Sequence, residues 1–427
     1  MGKTLVQKTV SITSVCQNHG TPLYVYDLDK IREQFRRLST ALPRNFQVHY
    51  ALKANSNLTV CHLLADEGAA SEVSSLGELI AALKSGFSPE NTVFTGPGKT
   101  DFELANALEY GVGLVVVESV NEAQRLNLLA EDQGKKQPTL LRINPEYRTL
   151  NSCDISCAIA PSNDLRPIAM NGQGASKFGV GEKEAEDALE AISNLPHLDI
   201  QGIHIFTESN VLDYRHLLDA WRNTVVIANR LRSQGFSISI LDFGGGIGVP
   251  YNATDREFDI ETFGQELAAV FNETPYRCMV EMGRYIACEG GSYVVEVVDI
   301  KESNGQKFAI VNGGIHNIYR TPGMQKASEF LTVLGKENLP TIPTVLAGQL
   351  PTPIDIITRE APLPIDLEIG DLIMVRNCGA YGYNHSLANF ALHPHPAEVA
   401  YSGDRIELIR SRGSYEDFFA HQKLIDF

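Results

Sequence analysis

Long apolar runs are missing from this chain. No stretch of about 18 or more apolar residues occurs, so a membrane-spanning helix is not expected. Met1-Gly2-Lys3-Thr4 leads into alternating residues, where a signal peptide would place an apolar core. Gly2 invites a myristoyl group, but position 6 is Val where that motif wants Ser or Thr. Cysteine is sparse: seven are scattered over the chain without a CxxC pair. That pattern indicates neither a disulfide framework nor a zinc site, and it suits a reducing cytosol. Positive charge is short as well. Lys and Arg number 36 against 52 Asp and Glu, for a net charge of -16. Binding a phosphate backbone needs concentrated positive charge, so nucleic acid is not an expected partner. Low-complexity linkers and internal repeats are also lacking. The expectation is an integrated, soluble, cytoplasmic enzyme without a metal.

What is present is the composition of a globular protein, 43% hydrophobic and 21% charged over 427 residues, enough for two domains or three. Residues 22–26 read as a strand, and Leu28, Ile31, Phe35, Leu38 and Leu42 fall at helical spacing. Strand-like runs follow at 46–52, 69–73, 92–95, 114–118, 138–143, 197–206, 238–242 and 277–281, with helical patterns between most of them. Eight strands alternating with helices predict a closed (β/α)₈ barrel over 28–283, with an open doubly wound sheet as the alternative. From residue 284 the runs are joined by Gly- and Pro-rich turns with little helical periodicity. Residues 284–427, with 1–27 joining them, are expected to form an all-β, barrel-like domain.

Four short stretches carry chemistry. Tyr50-Ala51-Leu52-Lys53-Ala54-Asn55 ends a strand on a single amine, the position of a lysine that attacks carbonyls once it is desolvated. Asp242-Phe243-Gly244-Gly245-Gly246 follows another strand, and its glycines let backbone N–H groups approach an anion. The spacing is not that of the dinucleotide fingerprint. Glu281-Met282-Gly283-Arg284 sets a carboxylate and a guanidinium at the end of the last barrel strand, where active sites of such barrels lie. In the β region, Cys378-Gly379-Ala380-Tyr381 offers a phenol to a phosphate. Taken singly, each has a bland reading: a solvated lysine, a tight turn, a surface ion pair.

Together with Ser176-Lys177-Phe178-Gly179 and in this order, the stretches resemble the fold-type III pyridoxal-phosphate decarboxylases. These are the diaminopimelate, ornithine and arginine decarboxylases on an alanine-racemase-like barrel, and the resemblance runs over residues 22–401. It implies pyridoxal 5'-phosphate as cofactor, with Lys53 as the Schiff-base lysine and Glu281 pairing with the pyridine nitrogen. It places Glu72, Arg142, Ser209, Gly245, Gly246, Gly283, Arg284 and Tyr381 among the cofactor-binding residues. It also implies a homodimer in which the segment containing Thr352 and Asp355 completes the partner's site.

The departures from the family pattern point to the substrate. Phe206-Thr207-Glu208-Ser209 stands where the family has His-Ile-Gly-Ser, so Phe206 replaces the histidine stacked on the cofactor. His204 is two residues back, roughly 7 Å along the strand, and reads as a poor substitute. Glu72 occupies a position where Asp is usual. Pro351 replaces the cysteine that returns a proton to the substrate, so the candidate donors are Tyr383, His385, Thr352, Lys53 or an ordered water, with Lys53 and the Tyr383-to-His385 loop favoured. Thr352 replaces the acid that recognises a distal amino group. Arg284 and Arg320, with His316, His385, His393 and His395 in segments expected near the site, suit an anionic or neutral far end. The reading is a decarboxylase acting on an acylated, citryl-linked or carrier-linked amino acid from siderophore or secondary-metabolite biosynthesis, and not on diaminopimelate. A racemase or epimerase and a non-catalytic regulatory relative are the alternatives.

Overall fold

The computed structural model describes residues 10–146, 176–252, 254–318 and 330–425. The chain divides into two compact units, one made of Gln34–Val249 with Glu257–Ile286, the other of Met1–Glu33, Pro250–Arg256 and Ala287–Phe427.

Strands are numbered along the chain, and β1 (Leu23–Asp27) belongs to the second unit. The first unit holds β2 (Phe46–Ala51), β3 (Ala70–Val73), β4 (Thr92–Phe94), β5 (Leu114–Val117), β6 (Gln137–Asn144), the two-residue β7 (Val180–Gly181), β8 (Leu198–His204), β9 (Ile240–Asp242) and β10 (Arg277–Met282). All pair in parallel with their neighbours. β5 bonds to β6, and β10 returns to β2, so eight strands close into a barrel and β7 adds to β6. Closure leaves this sheet no free edge and excludes the open doubly wound alternative. Helices cover the outside, and their N-termini are capped by the side chains of Ser75, Ser119, Asp213 and Asp259, with a full capping box at Thr100 and Glu103.

The period of two along a strand explains the barrel interior. Val93, Leu114, Val116, Leu140, Ile240 and Met279 form one buried apolar cluster. In β8 this level is filled by Gly202, where an added Cβ would lie 1.9 Å from the Ile240 carbonyl oxygen. Two residues further along the same strands stand Thr95, Glu118, Arg142, His204, Asp242 and Glu281, all nine-tenths or more buried. A polar layer therefore sits one pleat above an apolar plug, at the C-terminal end of the barrel.

In the second unit β1 lies between β11 (Gly291–Ser303), antiparallel, and β17 (Ala397–Ser402), parallel. The sheet continues through β12 (Gln306–Val311), β14 (Thr341–Ala347) and β15 (Ile356–Pro364) on one side and β18 (Arg405–Arg410) on the other. β13 (Leu331–Val333) pairs with β16 (Leu372–Val375), which pairs with β11. Val15, Cys16, Leu23, Val25, Val294, Ala397 and Val399 form one core cluster here, so the N-terminal helix and strand are integral to this unit. Among the described residues no helix is long and apolar enough to cross a membrane.

Candidate active site

Lys53 follows β2 in a tight turn closed by the Ala54 N–H on the Ala51 carbonyl. Its Nζ lies 2.6 Å from Glu72 Oε2, with Glu72 fully buried and the lysine side chain 41% exposed. Glu72 Oε1 accepts from the hydroxyls of Thr95 and, at 3.0 Å, Ser74. The amine is thus held at the barrel mouth by a carboxylate that is itself fixed by two hydroxyls. The Ser74 backbone N–H donates to Glu78 Oε2 at 2.7 Å. Burial, and next the charge of Glu72, push the Glu78 carboxyl up to about 7 against the pull of that N–H and of Lys53.

Across the layer, His204 Nε2 lies 3.5 Å from Glu281 Oε2. Burial works to raise the Glu281 pKa, but His204, Lys53 and Arg142 outweigh it and hold the carboxyl down at about 2. Asp242 goes the opposite way: burial and then Glu281 raise it well above the carboxylate range, so it keeps its proton. His49, whose Nδ1 lies 3.2 Å from the Ser71 carbonyl oxygen, is driven by burial to about 4 and is neutral at pH 7. Glu281 Oε1, Asp242 Oδ2, His49 Nε2 and both ring nitrogens of His204 are buried without a hydrogen-bond partner among the described residues. Buried polar atoms are rarely left so, and a group of them marks where a ligand supplies the missing bonds. His204, Asp242 and Glu281 bring three ligand atoms within 4.8 Å of one another, a set that could also hold a metal ion.

Arg142 pairs with Glu118 at 3.1 Å, both buried, and its guanidinium lies over the Phe178 ring at 4.4 Å. The second oxygen of Glu118 accepts the Gly179 N–H at 2.9 Å. The Ser176-Lys177-Phe178-Gly179 stretch is thereby wrapped around this ion pair. Gly179 has φ +56°, and a Cβ there would lie 2.7 Å from the Arg142 carbonyl oxygen.

The glycine turn has its geometry forced on it. Phe243 anchors it by stacking on Trp221 at 4.8 Å between ring centres. Gly244 has φ +60° and Gly246 φ +123°, and a Cβ on Gly244 would meet Phe206 Cδ2 at 2.6 Å. Gly245 is tight for space alone: its Cβ would lie 2.5 Å from the Glu281 carbonyl oxygen. The Gly246 carbonyl accepts from the Val211 N–H at 2.8 Å, which ties the turn to the loop bearing the exposed Ser209. Gly283 is required by Ala54, whose Cβ would stand 2.6 Å away, and Arg284 opens the short helix Arg284–Ala287. An ionised buried carboxylate with an unpartnered oxygen, a lysine amine and a glycine cradle too narrow for any Cβ fit the pyridine nitrogen, carbonyl and phosphate of pyridoxal phosphate.

In the β unit the Gly348–Asp355 segment is held by its own acid. Asp355 is buried, and its two oxygens accept the N–H groups of Ile315 and Leu350, each at 2.8 Å. Asp355, expected as a substrate group, thus also fixes the loop that carries Thr352. Thr352 is half-buried and Pro351 exposed on that loop. Tyr381 adopts a left-handed backbone, φ +63°, and its carbonyl accepts the His385 N–H at 3.2 Å. Tyr383 lies under the Arg410 guanidinium, 4.8 Å from ring centre, and Arg410 pairs with the buried Glu398. His316 packs on His393 at 4.9 Å, and burial followed by His393 brings it down to about 4. His316 is therefore neutral at pH 7 and offers a substrate no positive charge. His395 stacks on Phe418, and Arg320 lies outside the described residues.

Sequence patterns had not singled out Ser74, Thr95, Glu78, Glu118 or His49. Thr95 and Glu118 carry a signal after the fact, each being the first polar residue two places beyond an apolar barrel position. His204, two residues from Phe206 along the strand, faces Glu281 inside the barrel.

An eight-stranded α/β barrel with a carboxylate-held lysine, a buried ionised acid and a glycine turn at its C-terminal end fits a pyridoxal-phosphate enzyme. The chain belongs to the pyridoxal-dependent decarboxylases: residues 28–296 match the model of that family's pyridoxal-binding domain. It is 32% identical over 429 residues to an L-glutamyl-[BtrI acyl-carrier protein] decarboxylase of Niallia circulans, covering 96% of each chain. It is also 32% identical to the 2-[(L-alanin-3-ylcarbamoyl)methyl]-2-hydroxybutanedioate decarboxylase of Staphylococcus aureus, covering 89% of this chain and 94% of that one. Among solved structures, diaminopimelate decarboxylase from Helicobacter pylori complexed with L-lysine superposes with a TM-score of 0.83 at 30% identity, covering 96% of this chain and 98% of that one.

Proposed function

We propose that this pyridoxal-phosphate-dependent decarboxylase removes CO₂ from an amino-acid intermediate whose far end is acylated, citryl-linked or carrier-linked, and that it discriminates against diaminopimelate. The observation carrying this reading is the Gly348–Asp355 segment. Thr352 stands where the family has an acid, and the one carboxylate on the segment, Asp355, is occupied by two backbone N–H groups. A distal ammonium brought there finds no counter-charge on this segment. Leaving a buried charge unpaired costs roughly 3–5 kcal/mol, on the order of a hundredfold or more in specificity. The carrier-linked and citryl-type substrates in the names of the two relatives agree with a far end that bears no amine.

Pyridoxal phosphate supplies a ring that accepts the electron pair left by the departing CO₂. In this reading Lys53 would hold the cofactor's carbonyl carbon, and Glu281, ionised by its neighbours, would hold a proton at the pyridine nitrogen. The Gly244–Gly246 turn, Ser209, Arg284 and Tyr381 take the phosphate, and Phe206 covers a ring face without contributing a proton. Pro351 has no proton to give, so the α-carbon receives one from Lys53 or from the loop containing Tyr383 and His385. Tyr383 offers a hydroxyl that is protonated at neutral pH.

A homodimer with shared sites is part of the proposal. Ile354, Leu387, Phe390 and Leu392 are 44–62% exposed, and their loops are tied together through Ile315. Large apolar side chains clustered in this way suit an isologous interface. The test measures CO₂ from acylated, citryl-linked and carrier-linked diamino acids beside diaminopimelate. Efficient turnover of diaminopimelate would refute the substrate assignment. A Lys53→Ala protein mixed with Thr352→Trp should regain activity, while Lys53→Ala mixed with Tyr381→Ala should not. A fully active monomer in sedimentation would end the shared-site idea.

A further inference from the structure

We infer that Glu78 is a positioning residue for Lys53: it fixes Ser74, Ser74 fixes Glu72, and Glu72 holds the reactive amine. The inference rests on Lys53 as the cofactor lysine and adds a group that no motif singled out.

The chain of contacts is continuous. Glu78 Oε2 accepts the Ser74 backbone N–H at 2.7 Å, and the Ser74 hydroxyl donates to Glu72 Oε1 at 3.0 Å. Glu72 Oε2 in turn lies 2.6 Å from Lys53 Nζ. Ser74 therefore sits between two carboxylates, bonded to one through its backbone and to the other through its side chain. Glu78 belongs to the first turn of the helix Leu76–Lys84, where the Ser75 hydroxyl caps its own N–H at 3.2 Å. Any shift of that helix end moves Ser74 and the carboxylate on Lys53.

The link also carries charge. The groups facing Glu78 from the packed elements are Glu72 from β3, Lys53 from the turn after β2, and the Cys61 thiol from the helix Leu58–Asp66. On the side of the helix Asp101–Tyr110, the Glu103 carboxylate accepts the Leu76 N–H at 3.4 Å. Lys53 is the cation among them, and Glu72 already engages it. Because Glu78 titrates at about 7, a second negative charge appears near the amine as pH rises through neutrality. That charge strengthens the amine's hold on its proton and reduces the nucleophilic form above pH 7.

The test uses the holoenzyme and its Glu78→Gln and Glu78→Asp variants. Cofactor absorbance and the rate of borohydride trapping at Lys53 are followed between about pH 5.5 and 9, a span set by the ordinary carboxyl and histidine ranges. Gln keeps an acceptor for the Ser74 N–H and removes the charge. Wild type and Glu78→Asp should show an inflection near neutrality in both signals, and Glu78→Gln should lose it. A lost contact that was only structural would lower all values without removing the inflection. An inflection unchanged in Glu78→Gln overturns the inference. Peptide mapping of the trapped protein tests the underlying reading separately: label on a lysine other than Lys53 refutes that reading, whatever the pH profile.

Discussion

Replacing Gly245 with alanine isolates the glycine turn as a determinant of cofactor affinity. Gly244 and Gly246 need positive φ, so substitutions there mix backbone strain with crowding, whereas Gly245 is constrained by space. An alanine Cβ would lie 2.5 Å from the Glu281 carbonyl oxygen. That is about 0.8 Å short of the ~3.3 Å a carbon–oxygen contact requires. The obstructing atom is backbone and has no rotamer to change. It belongs to the residue proposed to pair with the pyridine nitrogen, and the Glu281 N–H is bonded to the Gly244 carbonyl at 2.8 Å. Relief must separate the turn from β10, displacing the phosphate cradle and Glu281 relative to each other. Overpacking of this kind costs about 1–3 kcal/mol. If the loss falls on the bound state, the cofactor dissociation constant rises roughly 5- to 150-fold at about 1.4 kcal/mol per decade. The assay is titration of apoprotein with pyridoxal phosphate, followed by absorbance, with Gly77→Ala as control because its Cβ meets nothing closer than 3.8 Å. Equal affinities in wild type and Gly245→Ala would refute the reasoning.

Glu118→Ala should lower the unfolding midpoint far more than Glu118→Gln, since alanine leaves the buried Arg142 unpaired at a cost of about 3–5 kcal/mol. Similar midpoints for the two variants, measured in urea, would show that the pair is not what holds Phe178 and Gly179. Acid sensitivity has a defined sign. His49 and His316 are held near 4 by burial, while an unfolded histidine protonates near about 6.5, so the unfolded chain takes up protons first. Stability should fall as pH drops from about 6.5 toward 4, and His49→Gln should flatten that limb. An unchanged slope would locate the acid sensitivity elsewhere.

Much of the design is local and therefore legible. Alternating strand and helix patterns specify a βα barrel because each element's apolar period shows in the chain without reference to its neighbours. Lys53, Gly244–Gly246 and Glu281 could be singled out because each lies at or just past the C-terminal end of a strand, where such a barrel carries its chemistry. Thr352 and Pro351 could be read as departures for the same reason, being substitutions within a recognisable stretch. What the sequence could not supply is which inward side chains meet. Glu118 becomes visible only when strand closure brings β5 beside β6 and Arg142, and His204 only when β8, β9 and β10 share a wall. The Ile315 and Leu350 N–H groups on the two oxygens of Asp355 likewise come into view only in the folded β unit. The charge states follow the same division. Residue types name the acids and bases, but Asp242 protonated, Glu281 ionised and Glu78 poised near neutrality arise from burial and from neighbours distant in sequence, and those are set by the tertiary structure.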